Sequence, residues 1–369
     1  MKLIDEFRDA AMVRKLLQTL CHEVRTDRSY RLMEFCGGHT HALYRYGLIS
    51  ALPDAIHMVH GPGCPVCVLP AGRIDAAIKL AESGDIMLCS YGDMMRVPGS
   101  HGDSLIKARA RGADVQMVYS PLDAVSLAQQ NPEREIVFFA VGFETTMPAT
   151  ALALLQARQE RVDNFSVFSN HLLTPPAMRA ILDGERYIDG IIGPGHVSVV
   201  IGCEAYGFVA NEFAMPLTIS GFEPVDLLES ILMLVKQVNA GEACIENQYK
   251  RAVLPEGNEK AQRLLQQVFH VRDLNDWRGL GALLHSGCGI AAAFADMDVE
   301  AQGLVRLEAG EEYRACKCPE VLRGKLQPQS CPLFGSHCTP ENPLGACMVS
   351  SEGACAAVYH FGQSEGETA

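Results

Sequence analysis

Four short apolar runs in the first third of the chain, YRLMEFC, AIHMVH, DIMLCS and ADVQMVYS, each stop near a Gly, Ser or Cys, and helical patterns such as AGRIDAAIKLAES lie between them. Parallel strands need a long crossover that a helix supplies, so this alternation predicts a parallel α/β sheet. A second series, EIVFFAVG, NFSVFSNH, DGIIGPG and AMPLTISG, is interleaved with helices such as TPPAMRAILDG. The two series resemble each other in spacing: Ser90 follows Cys64 by 26 residues and Ser220 follows His196 by 24. The expectation is therefore α/β, with two similar parallel-sheet domains over residues 1–125 and 126–222. Ligands bind beyond the carboxyl ends of such strands. The loops there are CGGHTH, GPGCPVC, SYGD, GFETT, SNH and GPGH.

From residue 223 the pattern changes to helices, PVDLLESILMLVKQVNAG and NEKAQRLLQQVFHV, and then to a Cys- and Pro-rich tail. Residues 223–369 are expected to form a third, mostly helical and irregular domain. The tail has too little periodic apolar character to fold by burial alone and needs a staple. Six of the 14 cysteines, Cys316, Cys318, Cys331, Cys338, Cys347 and Cys355, fall within the last 54 residues. No secretory signal is expected from the charged, amphipathic start, no stretch is apolar enough to span a bilayer, and the expected compartment is the cytoplasm, where thiols stay reduced. The staple is then a metal centre rather than a set of disulfides. Four thiolates make up a 4Fe-4S cluster, and the intervals Cys316-x14-Cys331-x6-Cys338-x16-Cys355 leave Cys318 and Cys347 over. Zinc is the rival, although its usual two close cysteine pairs are missing. A net charge of −13 argues against nucleic acid, whose phosphates call for Lys and Arg.

The upstream loops carry their own chemistry. Cys36 ends a strand, and Gly37 and Gly38 let a ligand or partner chain reach the backbone. Cys36 is expected there as an exposed thiolate, or else as a buried thiol in a tight turn. His39 and His41 are candidates to ligate metal, orient the thiolate or move protons, or to serve as helix-start residues. Cys64 and Cys67, between Pro62 and Pro65, have the C-x2-C spacing of either one metal site or a reversible disulfide. Glu144 is a candidate proton acceptor or a cap on the following helix, and His196 occupies in the second series the place of Cys64 in the first.

Together, EFCGGHTH, GPGCPVC, GFETT and the six-cysteine tail resemble the HypD family of hydrogenase maturation factors, over Cys36 to Cys355. The resemblance implies a cytosolic scaffold that, with a small HypC-type chaperone, holds one iron while the Fe(CN)2CO unit of a NiFe hydrogenase is built. It implies HypE as the cyanide donor, the hydrogenase large subunit as the eventual recipient, and a 4Fe-4S cluster near a redox-active cysteine pair. Cys36, Cys64 and Cys67 would be the iron ligands, with His39 and Glu144 assisting, and Cys316, Cys331, Cys338 and Cys355 the cluster ligands. Cys318 and Cys347 would be the redox pair, an arrangement similar to ferredoxin:thioredoxin reductase. A stand-alone thiol-disulfide oxidoreductase of that type is the alternative function. No G-x4-G-K-[ST] nucleotide motif occurs.

Overall fold

The computed structural model describes residues 4–184 and 187–362. Its strands are β1 Tyr30–Glu34, β2 Ile56–His60, β3 Ile86–Ser90, β4 Val115–Met117, β5 Glu135–Gly142, β6 Phe165–Leu172, β7 Gly190–Pro194, β8 Leu217–Ser220, β9 Ile245–Asn247, β10 Phe269–Trp277 and β11 Gly281–Ile290. The first sheet has the order β2-β1-β7-β8-β9 and is parallel throughout. The second has the order β10-β11-β6-β5-β3-β4. Its β3 to β6 are parallel, and β3, β5 and β6 are buried along nearly their whole length. Helices cover both faces of such strands, which is why β5 reads as an almost unbroken apolar run, whereas β6 buries Ser166, Ser169, Asn170 and His171 among its apolar residues.

The second sheet is mixed rather than parallel. The antiparallel hairpin β10–β11 joins the free edge of β6, with Gly287 opposite Leu172 and Cys288 opposite His171. Strand pairing also departs from the divisions expected at residues 125 and 222. β3 and β4 precede the first division yet join the sheet of β5, β3 pairing with it directly and β4 with β3, while β7 pairs with β1 and β8 with β9. The chain starts the first sheet, leaves it to build most of the second, returns to finish the first, and leaves again for the hairpin. Each sheet thus changes strand order in the middle, between β1 and β7 in the first and between β3 and β5 in the second.

The helix Pro224–Ala240, expected in a third domain, covers the first sheet instead. Its Leu227, Leu228, Ile231, Leu234 and Val235 pack with Leu16 and Leu20 of the helix Ala10–Glu23 and with Leu32 and Ile192 of the strands. What lies outside both sheets is the stretch after residue 303, an irregular strap followed by the short helix Cys318–Leu322, several turns and the helix Ala354–Phe361. One apolar cluster joins all three parts. It contains Phe35, Val59, Cys64 and Cys67 from the edge of the first sheet, Phe143 and Leu172 from the second, Trp277 from the hairpin, and Cys318, Cys347 and Cys355 from the tail. The carboxyl ends of both sheets therefore face one shared core.

At the rim of the first sheet Asp226, fully buried, accepts from Arg251 Nη1 at 2.7 Å and Nη2 at 2.5 Å, and Arg251 lies over the rings of Phe7 and Tyr249. Removing one partner of such a pair strands a buried charge. Arg251→Met should lower unfolding free energy in urea by about 3–5 kcal/mol, and adding Asp226→Leu should restore much of it. A single-variant cost below about 1 kcal/mol would show that Gln248, which also donates to Asp226, satisfies the carboxylate alone.

Candidate functional site

Cys36 sits where β1 gives way to the helix Gly37–Arg45, and its carbonyl accepts from the amides of His39 at 2.9 Å and Thr40 at 3.2 Å. The GPGC loop lies directly against it. Gly37 N–H donates to Gly63 O at 3.1 Å, Gly61 N–H donates to Glu34 O at 2.9 Å, and a Cβ on Gly63 would fall 2.4 Å from Cys36 N. Only glycine fits there. Cys36 is 9% exposed, so it is the buried thiol in a tight turn and not the exposed thiolate. Burial, then the nearby carboxylates of Glu352 and Glu34, push its pKa far up. The tail closes this turn from above: a Cβ on Gly37 would come 2.5 Å from Glu352 O, and His41 Nδ1 lies 3.2 Å from Ser351 O.

Beneath Cys36 is a buried polar group that the sequence reading missed. Glu34, 1% exposed, accepts from Cys36 N–H at 3.1 Å, from the Thr40 hydroxyl, and pairs with His60 Nδ1 at 2.8 Å. Burial raises its pKa. The β1–β2 register sets Glu34 directly opposite His60. Glu34 also shares a strand face with Cys36, two residues on. An acid in an otherwise apolar strand was the available signal, but the partner depends on a register that sequence does not supply.

His39 is fully buried and its Nε2 lies 3.2 Å from Ser220 O, while Nδ1 has no hydrogen-bond partner among the described residues. Burial lowers its pKa to about 4, so the ring is neutral, and the carbonyl assigns the proton to Nε2. Nδ1 is left with a free lone pair. The ring of Phe222 stands between His39, at 4.7 Å, and His196, at 3.8 Å. His196 thus belongs to the same edge as Cys36. His196, Gly38 and Phe222 line a pocket with Arg45, Tyr46 and Arg251, and Cys36 does not reach its wall.

Cys64 and Cys67 form a disulfide with Cα atoms 5.3 Å apart, both buried. Cys64 caps the short helix Pro65–Val68, its sulfur accepting from Cys67 N–H at 3.3 Å, and the proline supplies the first helical position without a wasted donor. Cys67 Sγ lies 4.0 Å from Ala346 O, so the tail rests on the pair next to Cys347. In this oxidised form neither sulfur is a thiolate donor for a metal.

Glu144, from the second sheet, is 3% exposed and accepts from Thr174 N–H and Thr174 Oγ1, each at 2.8 Å. It therefore caps the helix Thr174–Leu182, not the helix that follows it in sequence. Burial raises its pKa to about 7. Its neighbour Phe143 stacks on Trp277 at 5.9 Å.

In the tail, Cys316, Cys318, Cys331, Cys338 and Cys355 line one small pocket closed by Val321, Leu333, Phe334 and Met348. Amides point at two of the sulfurs, Cys318 N–H at Cys316 Sγ (3.5 Å) and Leu344 N–H at Cys338 Sγ (3.4 Å). A Cβ on Gly345 would lie 2.4 Å from Cys316 Sγ and 2.7 Å from Cys318 Sγ. Cys347, fully buried, lies behind them beside Cys318 and Cys355; the Cys318 and then the Cys355 thiol raise the pKa of Cys347, while the Cys318 and then the Cys347 thiol lower that of Cys355. Among the described residues no three His, Cys, Asp or Glu side chains gather at the spacing of a single ion. The donor set, the apolar lining and the amides directed at sulfur fit an iron-sulfur cluster, whose irons spread the ligands apart. All four expected ligands line the pocket, but so does Cys318, and Cys347 adjoins it.

Residues 11–362 match the family described as HypD: Hydrogenase formation hypA family. A "Hydrogenase maturation factor HypD" of Azotobacter vinelandii is 54% identical over 98% of this chain and 97% of its own. The "Hydrogenase expression/formation protein HupD" of Azotobacter chroococcum mcd 1 is also 54% identical with the same coverage. The "Hydrogenase maturation factor HypD" of Escherichia coli (strain K12) is 46% identical over the full length of both chains.

The raised pKa of Glu144 has a consequence for stability. Between about pH 4.5 and about 7 the folded chain keeps a proton that the unfolded chain has released, so stability falls as pH rises through that window and stays low above it. Glu144→Gln is neutral throughout. Relative to the parent it should gain stability with rising pH, by roughly 3 kcal/mol at most near pH 8, and the gap should close near pH 4.5. Urea titrations across that range measure it; a gap independent of pH would place the buried proton elsewhere.

Proposed function

The chain belongs to the HypD family of hydrogenase maturation factors, and on that premise we propose that it is the scaffold on which the Fe(CN)2CO unit of a NiFe hydrogenase is assembled. One observation carries this reading: Phe35 beside Cys36, the Cys64–Cys67 disulfide and five of the six tail cysteines (Cys316, Cys318, Cys338, Cys347 and Cys355) share one apolar cluster between the carboxyl edges of two sheets, and the Cys36 turn bonds to the disulfide loop through Gly37 and Gly63. The iron is cargo. Cys36 is its anchor, shared with a small HypC-type chaperone, and His39 Nδ1 offers a further neutral donor or proton acceptor at the same edge. Glu34 holds the Cys36 amide and so fixes the direction of the thiol. HypE delivers cyanide, and the finished unit passes to the hydrogenase large subunit in the cytoplasm. No described helix is long and apolar enough to cross a membrane.

The tail cysteines Cys316, Cys331, Cys338 and Cys355 hold a 4Fe-4S cluster, which supplies one-electron transfer when bound. Reducing the Cys64–Cys67 disulfide takes up two electrons and two protons and leaves two thiols; closing it returns both. Cys67 is the sulfur that faces the tail through Ala346, beside the Cys318 and Cys347 pair. Once reduced, Cys64 and Cys67 become soft thiolate donors next to Cys36. The reductase alternative is weakened by burial, since exchange with another protein's disulfide needs an accessible sulfur, and Cys318 and Cys347, the pair beside the tail pocket, are 5% and 0% exposed.

Cys36→Ala should leave the fold and tail iron unchanged and abolish hydrogenase maturation. Infrared spectra of the parent purified with its small partner should contain bands of metal-bound cyanide and carbon monoxide that Cys36→Ala lacks. An active parent preparation without those bands would favour the reductase.

Ala substitution of Cys316, Cys331, Cys338 or Cys355 should remove iron-sulfur absorbance and destabilise the tail, because thiolate ligation supplies folding free energy that so irregular a segment lacks. Cys318→Ala and Cys347→Ala should keep iron and acid-labile sulfide but lose reversible two-electron thiol chemistry in a thiol titration. Iron lost from Cys318→Ala and kept in Cys316→Ala would move the ligand assignment by one partner of that pair.

A further inference from the structure

Away from the Cys36 edge, a buried cation is covered by a carboxylate from an exposed segment. The side chain of Arg278, at the turn between β10 and β11, is 4% exposed. Its backbone N–H donates to Val68 O at 2.7 Å and its Nη2 to Pro98 O at 3.1 Å. Its buried Nε makes no hydrogen bond, although Glu312 Oε1 lies 3.1 Å away out of line with the N–H. The same Oε1 accepts from Ala71 N–H at 3.0 Å, at the first turn of the helix Ala71–Ala81. A helix-start amide with no partner inside its own helix and a buried guanidinium converging on one oxygen are the elements of an oxyanion site. Glu312 itself is 47% exposed, on a strap without regular structure over residues 304–313. A cavity beside it is bounded by Lys107, Arg278, Tyr313 and Arg314.

We propose that Ala71 N–H and Arg278 form a binding site for a small-molecule oxyanion, a phosphate or a carboxylate, which Glu312 fills from within the chain until the ligand displaces it. Arg278 is too deeply buried to stand without a counter-ion, so Glu312 leaves only when another anion takes its place. Exchange frees the strap, whose next cysteine is Cys316 at the mouth of the tail pocket. The site thereby links a soluble anion to the position of the cysteine-rich segment, whatever metal that segment carries.

The full-length protein and Glu312→Gln are titrated calorimetrically with inorganic phosphate and with citrate, against chloride at matched ionic strength. Glu312→Gln, freed of the internal competitor, should bind one of the two at least tenfold more tightly than the parent, and the one bound identifies the ligand class. Adding Arg278→Lys should abolish that gain. Should that variant not fold, Ala71→Pro removes the amide instead; proline suits the first helical position, and Pro70 before it is already extended (φ −62°, ψ 146°). In the parent, the bound anion should speed tryptic cleavage after Arg306 and Arg314. Equal affinities for parent and Glu312→Gln, no binding by Glu312→Gln, or binding indifferent to both Arg278→Lys and Ala71→Pro would each overturn the proposal.

Discussion

Gly37 and Gly63 bring two loops of the first sheet to backbone contact, N–H to carbonyl at 3.1 Å, with no room for a side chain on the second. Through that contact Cys36 and the Cys64–Cys67 pair become one unit, because the loop that carries the disulfide rests on the peptide that carries the single thiol. The residues around it follow from the same approach. Glu34 faces inward, 1% exposed, and an inward carboxylate needs the Thr40, His60 and Cys36 donors it finds. The tail then packs on Gly37, which is why the thiol is buried and protonated.

A second level of organisation comes from the two sheets. Each reverses its strand order in the middle, and the crevice that such a reversal opens is where the loops of interest lie. With both carboxyl edges turned to one core, Phe143 from the second sheet and Cys64 from the first belong to one cluster although they come from different sheets. The hairpin β10–β11 ties the arrangement together, Trp277 packing on Phe143 and Arg278 bonding to Val68 just beyond the disulfide. The short distance between chemically active loops is thus a property of the topology, not of any one loop.

How far the sequence reveals this differs from element to element. EIVFFAVG is legible because it is apolar after its first residue, NFSVFSNH is legible through Phe165, Val167 and Phe168 despite its buried Ser166, Ser169, Asn170 and His171, and CGGHTH and GPGCPVC are legible because Cys and Gly have few other uses at strand ends. The hairpin strands are not. Val271, Leu274 and Leu284 are half exposed or more, so FHVRDLNDW lacks both the alternation and the unbroken run that announce a strand. Which strand pairs with which was misread because β1 and β7 meet across more than 150 residues, and spacing alone gives no weight to so distant a neighbour. Glu144 is readable as a cap but not as the cap of Thr174, and nothing in the run AIHMVH marks His60, whose importance lies in its register opposite Glu34. The tail cysteines were recognisable by identity, while the division between ligands and redox pair is blurred by Cys318, which lines the same pocket as the four expected ligands.

The interleaved order of strands also bears on how the chain emerges from the ribosome. β1 is central in the finished sheet, yet its partner β7 is synthesised about 150 residues later. At roughly 5–20 residues per second, one edge of β1 waits about 8–30 s without its neighbour. During that interval Cys36 lies on an open strand edge, and the tail that will cover it is later still. The nascent chain therefore has a period in which a thiol buried in the finished fold is open to solvent, and oxidation or premature metal capture then would be locked in by the segments that arrive afterwards.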